Sequence, residues 1–267
     1  MKKNRFIKLA SGLLVLCLMT TCVIGATLAK YTTAKDTQDS ARVAKWGVRI
    51  SAAANSAFKT EYDKDDDSYT KVTVKSSSSE KVVAPGTSGS AAQFSISGTP
   101  EVAVRLSFAM TDVKEVKLTA GTYTNTDGAT VTLGSDYNPI KWTLKKNDTH
   151  VEGEDTNVEG AVNLTLAAMA TFLRTYTVDY APGTDLSTTV PTYTLSWEWD
   201  FEKNVASMAG TDEEKAAAKA EQDKLDSILG DLAANVSGIK KDSNDIAASD
   251  YSTQVSYTLT ITATQID

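Results

Sequence analysis

Cysteine and histidine are the residues that this 267-residue chain has least of. Its two cysteines, Cys17 and Cys22, lie in an apolar N-terminal segment, and its one histidine is His150. Beyond residue 29 no thiol is left for a disulfide, a cysteine nucleophile or a cysteine-based zinc site. One histidine cannot supply an HExxH zinc site, and its polar Asn-Asp-Thr-His context favours a surface residue. We therefore predict no catalytic residues, no cofactor and no enzymatic activity.

Long apolar runs are also missing, except at the N-terminus. Residues 9–29 are almost entirely apolar. The basic residues that precede them are Lys2, Lys3, Arg5 and Lys8. This pattern is typical of a signal peptide, and the small residue Ala29 predicts cleavage before Lys30. The alternative is an uncleaved anchor, because about 20 apolar residues span a bilayer. We predict a signal peptide over residues 1–29.

The charge balance of the chain argues against nucleic acid or anionic lipid as a partner. Its net charge is −7, and loss of the four basic residues of the signal peptide would change it to −11. Binding to nucleic acid or to anionic lipid requires clustered lysine and arginine. We therefore predict a secreted protein, extracellular or associated with the cell surface, with no nucleic-acid partner. Membrane contact would come only through an uncleaved signal.

Apolar and polar residues alternate in several stretches, which is the period of a half-buried strand. The apolar positions of these stretches are Ala44, Trp46, Val48 and Ile50; Val102, Val104, Leu106, Phe108 and Met110; Ile140, Trp142 and Leu144; Tyr193, Leu195, Trp197, Trp199 and Phe201; and Val255, Tyr257, Leu259, Ile261 and Ala263. Shorter candidate strands lie at 69–75, 113–119 and 129–133. Turns are predicted at Pro85-Gly86 and at Asn125 to Gly128.

Two stretches have helical patterns instead. Residues 163–174 are rich in Leu, Ala, Met and Phe, with Asn163 as a candidate N-cap. Thr211-Asp212-Glu213-Glu214 has the form of a capping box and predicts a helix over about 212–232. The apolar stripe of that helix is formed by Leu225, Ile228, Leu229 and Leu232.

Many strands with one apolar face each, joined by Gly and Pro turns, predict two antiparallel sheets packed face to face. Parallel sheets would need regular helical crossovers, and these are missing. We predict one mainly β domain over residues 30–267, an antiparallel β-sandwich with helical insertions. It would begin with an N-terminal arm over 30–50, and the second insertion would cover about 205–240.

Two groups of residues have a possible ligand role. Asp63, Asp65 and Asp67 are spaced like the start of a calcium loop, but Ser68 replaces the glycine and Val74 the bidentate carboxylate. A solvated acidic turn, over about residues 59–68, is the favoured interpretation, and weak calcium binding is the alternative. A second possibility is sugar stacking on the tryptophans of the 193–201 stretch. Those tryptophans share a face with Leu195, which favours core packing.

The N-terminal junction, ATLAKYTTAKDTQDSARVAKWGV, resembles that of proteins processed by the SipW-type signal peptidase of Gram-positive bacteria. The best-known members are TasA and the camelysin-like biofilm matrix proteins. The turn APGTSGS at 84–90 is similar to a turn of that family, and TLSWEWDFE at 194–202 with DSILG at 226–230 looks like a pattern of clostridial relatives. The resemblance implies a secreted jelly-roll sandwich that polymerises into extracellular fibres.

The resemblance also implies that the N-terminal arm of one subunit completes a sheet of its neighbour. The residues expected to take part are Tyr31, Val43, Ala44, Trp46, Val48 and Ile50. The expected partners are other copies of the chain, further matrix proteins, and a SipW-type signal peptidase during export. One alternative function is a cell-surface adhesin or carbohydrate-binding module, which predicts an exposed aromatic platform. A hydrolase that uses paired carboxylates is the third hypothesis.

Overall fold

The computed structural model describes residues 42–53, 57–65, 70–148, 156–202 and 208–266. The chain divides into two compact units, Met1–Val43 and Ala44–Asp267, and the strands and helices of the described residues all lie in the second. The strands are β1 Val48–Ala53, β2 Glu61–Tyr62, β3 Val74–Lys75, β4 Ser88–Gly98, β5 Ala103–Lys114, β6 Lys117–Leu118, β7 Gly121–Thr124, β8 Thr130–Leu133, β9 Ile140–Asn147, β10 Thr156–Asn157, β11 Thr177–Tyr180, β12 Thr192–Trp199, β13 Lys240–Lys241, β14 Asn244–Asp245, β15 Tyr251–Ser252 and β16 Ser256–Ile266. The helices are α1 Leu166–Leu173 and α2 Asp212–Ala233.

Two antiparallel sheets form the body of the second unit. One has the order β1-β4-β12-β9-β10 and the other has the order β11-β5-β16. Their inner faces meet through aromatic contacts: the ring of Phe108 on β5 lies 5.5 Å from Phe94 on β4 and 5.7 Å from Tyr193 on β12. On another part of the interface, Trp142 on β9 contacts Tyr257 on β16 at 5.4 Å. The predicted class, a mainly antiparallel β-sandwich with two helical insertions, is confirmed.

On three strands the buried residues lie at the apolar positions that the alternating patterns predicted. On β5 the buried residues are Val104, Leu106, Phe108 and Met110, and on β9 they are Ile140, Trp142 and Leu144. β12 buries Tyr193, Leu195, Trp197 and Trp199. The expected fifth residue, Phe201, is 48% exposed, so that part of the prediction is wrong. Both the N–H and the C=O of Trp199 bond to the turn at Gly86–Thr87, after which the chain leaves the sheet.

The first strand begins later than predicted. Gly47 has φ +58°, a left-handed conformation that interrupts the extended alternation, and β1 starts at Val48. Ala44 and Trp46 therefore precede the strand. In the expected acidic turn over 59–68, Tyr62 belongs to β2 and is fully buried, so that stretch is only partly solvated.

The helices lie where the sequence predicts them, with one correction. The N-cap of α1 is Thr165, whose side chain accepts a hydrogen bond from Ala168 N, and not Asn163. Leu164 exchanges two backbone hydrogen bonds with Trp142, which holds the chain extended up to the cap. The capping box of α2 is formed, with Thr211 N donating to Glu214 Oε2 at 2.7 Å. The apolar stripe of α2 is buried, as predicted.

Candidate functional site

The first candidate site is the edge of the five-stranded sheet formed by β1. Within the described part of the chain, β1 pairs with no strand other than β4, in a register that runs from Val48 opposite Gly98 to Ala53 opposite Gln93. Val48 and Ile50 are half-buried against the core. These two predicted assembly residues therefore occupy an edge strand of their own sheet.

Contacts at the surface hold the segment just before β1. Lys45 N donates to Glu101 Oε2 at 2.8 Å, and Glu101 N donates back to Lys45 O at 2.9 Å. The side chains of Val43, Ala44 and Trp46 are exposed. Of the other predicted residues, Tyr31 and the cleavage pair Ala29 and Lys30 lie outside the described residues.

If β1 did not cover it, β4 would be an edge strand without the usual protection. Its eleven residues, SGSAAQFSISG, include no charged side chain and no proline. Phe94 and Ile96 on this strand are buried, and its other edge pairs with β12. Natural sheet edges are usually protected by charges, proline or bulges. The register of β4 with β1 comes only from the structure.

An edge strand without charged residues lies in the other sheet. β16 pairs with β5 along most of its length and with no further strand of the described part. Its sequence, SYTLTITATQI, also lacks charge and proline. Thr258, Thr260, Thr262 and Thr264 point outwards and are exposed. This edge is long and uncharged, so it is a further surface where a strand could add.

The outer face of the five-stranded sheet forms an open groove of about 1180 Å³. We call it the lysine groove. Its floor is built from outward-facing polar residues of β4, β12 and β9, and its sides include residues of β10 and of the segments near 57–62 and 162–163. The groove exists because the outward positions of these strands carry small hydroxyl side chains, such as Ser90, Thr143 and Thr194.

Lysines give the groove its charge. Lys141, Lys145 and Lys146 of β9 line it, and none has an ion pair with a described residue. Burial lowers the pKa of Lys141, and the nearby carboxylates of Glu115 and Asp200 oppose this shift. The groove therefore has a cationic wall in a chain whose net charge is negative.

The aromatic residues at the groove are part of the core. Trp197 is 2% exposed and donates from Nε1 to the carbonyl oxygen of Ala57 at 2.7 Å. Tyr62 is 1% exposed and donates its hydroxyl to Val82 O at 3.0 Å. Neither ring is free to stack on a ligand. Core packing of the two tryptophans of β12 is thus confirmed, and no described residue of the groove forms an exposed aromatic platform.

Two buried carboxylates were not identified from the sequence. Asp148 is fully buried, and its Oδ2 accepts hydrogen bonds from Tyr180 at 2.6 Å and from Tyr193 at 2.9 Å. Desolvation raises the pKa of both tyrosines, so they remain neutral donors. This cluster links the end of β9 to β11 and β12 inside the sandwich. It has the features of a structural hydrogen-bond network.

The second carboxylate, Asp226, lies on α2. Its Oδ1 accepts from Tyr137 Oη at 2.6 Å and from Trp199 Nε1 at 3.2 Å, whereas its Oδ2 is buried with no hydrogen-bond partner among the described residues. Burial raises the pKa of Asp226 to about 6. One feature of the sequence could have indicated this site, namely a carboxylate one position from the apolar stripe of the helix.

Two of the three candidate calcium residues, Asp63 and Asp65, form a local turn. Asp63 Oδ1 accepts from Asp65 N at 3.0 Å, an arrangement that stabilises the turn, and Asp67 lies outside the described residues. Across the described ranges, no group of three or more His, Cys, Asp or Glu residues is placed to hold a metal ion. His150 also lies outside those ranges.

Comparison with known proteins does not assign the chain to a family. No protein-family model matches the chain, and no curated protein is significantly similar to it. Neither helix of the described part is long and apolar enough to cross a bilayer.

Proposed function

We propose that the protein is a secreted structural subunit without enzymatic activity, which assembles into extracellular fibres by exchanging β1 and the preceding arm between copies. The observation that carries the proposal is the place of β1. It is the first strand of its unit, it lies at a sheet edge, and it covers a β4 strand that has no charge of its own. The resemblance of the N-terminal junction to matrix proteins of the TasA and camelysin-like group supports the same proposal.

The energetics of such an exchange are balanced. If β1 leaves β4, the backbone hydrogen bonds that it loses are regained when the β1 of another copy takes its place in the same register. Side-chain packing of Val48 and Ile50 against the core is regained in the same way. Protein concentration and any new contacts of the arm would then decide between monomer and fibre. In this proposal the donated strand is β1, which pairs with β4 from Val48 to Ala53, so it begins within the predicted arm over 30–50 and extends three residues beyond it.

The pairing can be tested with cysteines, because the chain has none beyond Cys22. Ser51 on β1 is exposed and lies opposite Ser95 on β4. In a background with Cys17 and Cys22 replaced by serine, Ser51→Cys and Ser95→Cys are made as separate variants, secreted, and mixed under assembly conditions. We expect an intermolecular disulfide between the two variants and fibres in electron micrographs.

The double variant supplies the reverse test. When Ser51→Cys and Ser95→Cys are combined and oxidised within one chain, β1 is locked in its own sheet, and assembly should stop until a reductant is added. As a matched control, Ser51→Cys mixed with Thr130→Cys, an exposed position on β8, should give no specific cross-link. Fibres that form equally well from the oxidised double variant would exclude strand exchange. A protein that stays monomeric under all conditions would exclude the proposed function.

A further inference from the structure

We propose that the lysine groove binds an extended acidic polysaccharide, whose carboxylates pair with Lys141, Lys145 and Lys146 and whose hydroxyls bond to the polar floor. This inference does not depend on strand exchange, because the groove lies on the outer face of the sheet and β1 is not among its lining residues.

The shape of the groove suits a linear chain. Its floor follows β9 from Lys141 to Asn147, a length of about 20 Å at the usual rise of a strand. The outward positions of β9 and β12 pair directly across the sheet, with Ser196 opposite Thr143 and Thr194 opposite Lys145. A ligand lying along the strands would therefore meet hydroxyl or ammonium groups at the outward positions, except at Glu198 and Asn147.

The distribution of charge along the groove is uneven. At one end, Lys141 lies opposite Glu198, whose carboxylate pairs with Lys71 at 3.4 Å. At the other end, Lys145 has Thr194 of β12 on one side and Asn157 of β10 on the other, with no carboxylate at either paired position. Lys146 also lines the groove, but it alternates with Lys145 along β9 and pairs with Thr156 of β10 and with the buried Tyr193 of β12. The end marked by Lys145 and Lys146 is thus the cationic end, where a carboxylate of the ligand would bind.

The same lining disfavours other ligands. Sequence-tolerant binding of single-stranded nucleic acid relies on aromatic rings that stack on bases, and both rings at this groove are buried. Arginine, whose planar fork recognises phosphate in a bidentate manner, is not among the lining residues. A neutral sugar would find no exposed aromatic ring to stack on, and it carries no charge that could pair with the lysines. A ligand that carries both hydroxyl and carboxylate groups fits the hydroxyl and ammonium donors of the groove best.

The test uses two polymers with one backbone. Polygalacturonate carries a carboxylate on each sugar, and its methyl ester carries none. We expect the secreted protein to bind polygalacturonate, with affinity that falls as salt screens the charges, and not to bind the ester. Lys145→Gln combined with Lys146→Gln should weaken binding about tenfold, because each exposed pair contributes modestly.

Lys224→Gln combined with Lys240→Gln is the matched control, since both lysines are exposed, lie outside the groove and change the net charge equally. Equal weakening by the two double variants, or equal binding of the methyl ester, would overturn the proposal. Displacement of polygalacturonate by inorganic polyphosphate at equal charge would indicate a general anion site and would also overturn it. So would self-association that depends on Lys145 and Lys146 without polysaccharide binding, which would identify an acidic segment of a second copy as the occupant.

Discussion

Trp199 of β12 donates a hydrogen bond from Nε1 to Oδ1 of Asp226 on α2, over 3.2 Å. Tyr137 donates to the same oxygen, so one carboxylate joins the second helical insertion to the sandwich. The other oxygen of Asp226 is buried without a partner in the described part of the chain. Hydrogen bonds therefore offset only part of the cost of burying a charge at this position, and protonation would relieve the rest in part.

This arrangement predicts a dependence of stability on pH. Burial raises the pKa of Asp226 to about 6, above the value of the same group in the unfolded chain. Below about pH 4 the protonated carboxyl group contributes its full stabilisation of the folded chain, about 3 kcal/mol. This contribution decreases as the pH rises and is lost once the pH has passed about 6. Urea unfolding of the wild type and of Asp226→Asn across this range should show the loss in the wild type only.

Glu221→Gln is the control for that experiment, because Glu221 lies on the same helix α2 and is exposed. Its pH profile should follow that of the wild type. If Asp226→Asn kept the pH dependence of the wild type, the carboxylate would not be the group that titrates.

Removing a hydrogen bond from the buried Asp148 cluster should lower the stability of the protein without changing its fold. Tyr180→Phe removes the donor that lies 2.6 Å from Asp148 Oδ2 and leaves the carboxylate with fewer hydrogen bonds in the core. The free energy of unfolding should fall by about 1–3 kcal/mol, measured by urea denaturation. Tyr251→Phe, at a half-buried position on β15, should change it by less than about 0.5 kcal/mol. Equal effects of the two variants would contradict a network centred on Asp148.

The sequence predicted those parts of the fold that depend on local periodicity. The buried positions of β5, β9 and β12 follow directly from alternation, and α2 follows from its capping box and apolar stripe. Errors arose where the apolar pattern continued beyond the end of an element. Phe201 continues the apolar pattern of β12, but the strand ends at Trp199, which bonds to the turn at Gly86–Thr87 that precedes β4.

The candidate sites were harder to predict because they depend on which strands are neighbours. The lysine groove combines outward residues of β4, β12 and β9, and these strands are distant in sequence. The edge position of β1 likewise follows from its register with β4. Only the lack of charge in β4 and β16 was visible in the sequence. Once the strand order was known, it would have indicated an uncharged edge at β16 and an uncharged strand, β4, that β1 covers.

The capping box predicts a measurable contribution of one side chain to α2. Thr211→Ala removes the acceptor for Glu214 N and should lower the free energy of unfolding by about 1 kcal/mol, as measured by urea denaturation. Glu213→Ala changes an exposed residue of the same first turn that takes no part in the box, so its effect should be smaller. A larger loss for Glu213→Ala would mean that charge near the helix end, rather than capping, is what stabilises this turn.

The variant Gly98→Ala tests how strongly assembly depends on the pairing of β1 with β4. Gly98 has φ +127°, and a Cβ at this position would collide with the backbone carbonyl of Gly47 just before β1. The variant should therefore loosen the start of β1 and speed cleavage by trypsin after Arg49, an exposed residue of that strand. Because the β1 of a second copy would meet the same obstacle, fibre formation should decrease as well. Gly134→Ala, where a Cβ meets no atom within 4 Å, should change neither trypsin cleavage nor assembly. Faster cleavage together with increased assembly would mean that the incoming strand does not use the β4 register, and the acceptor would have to be another edge, such as β16.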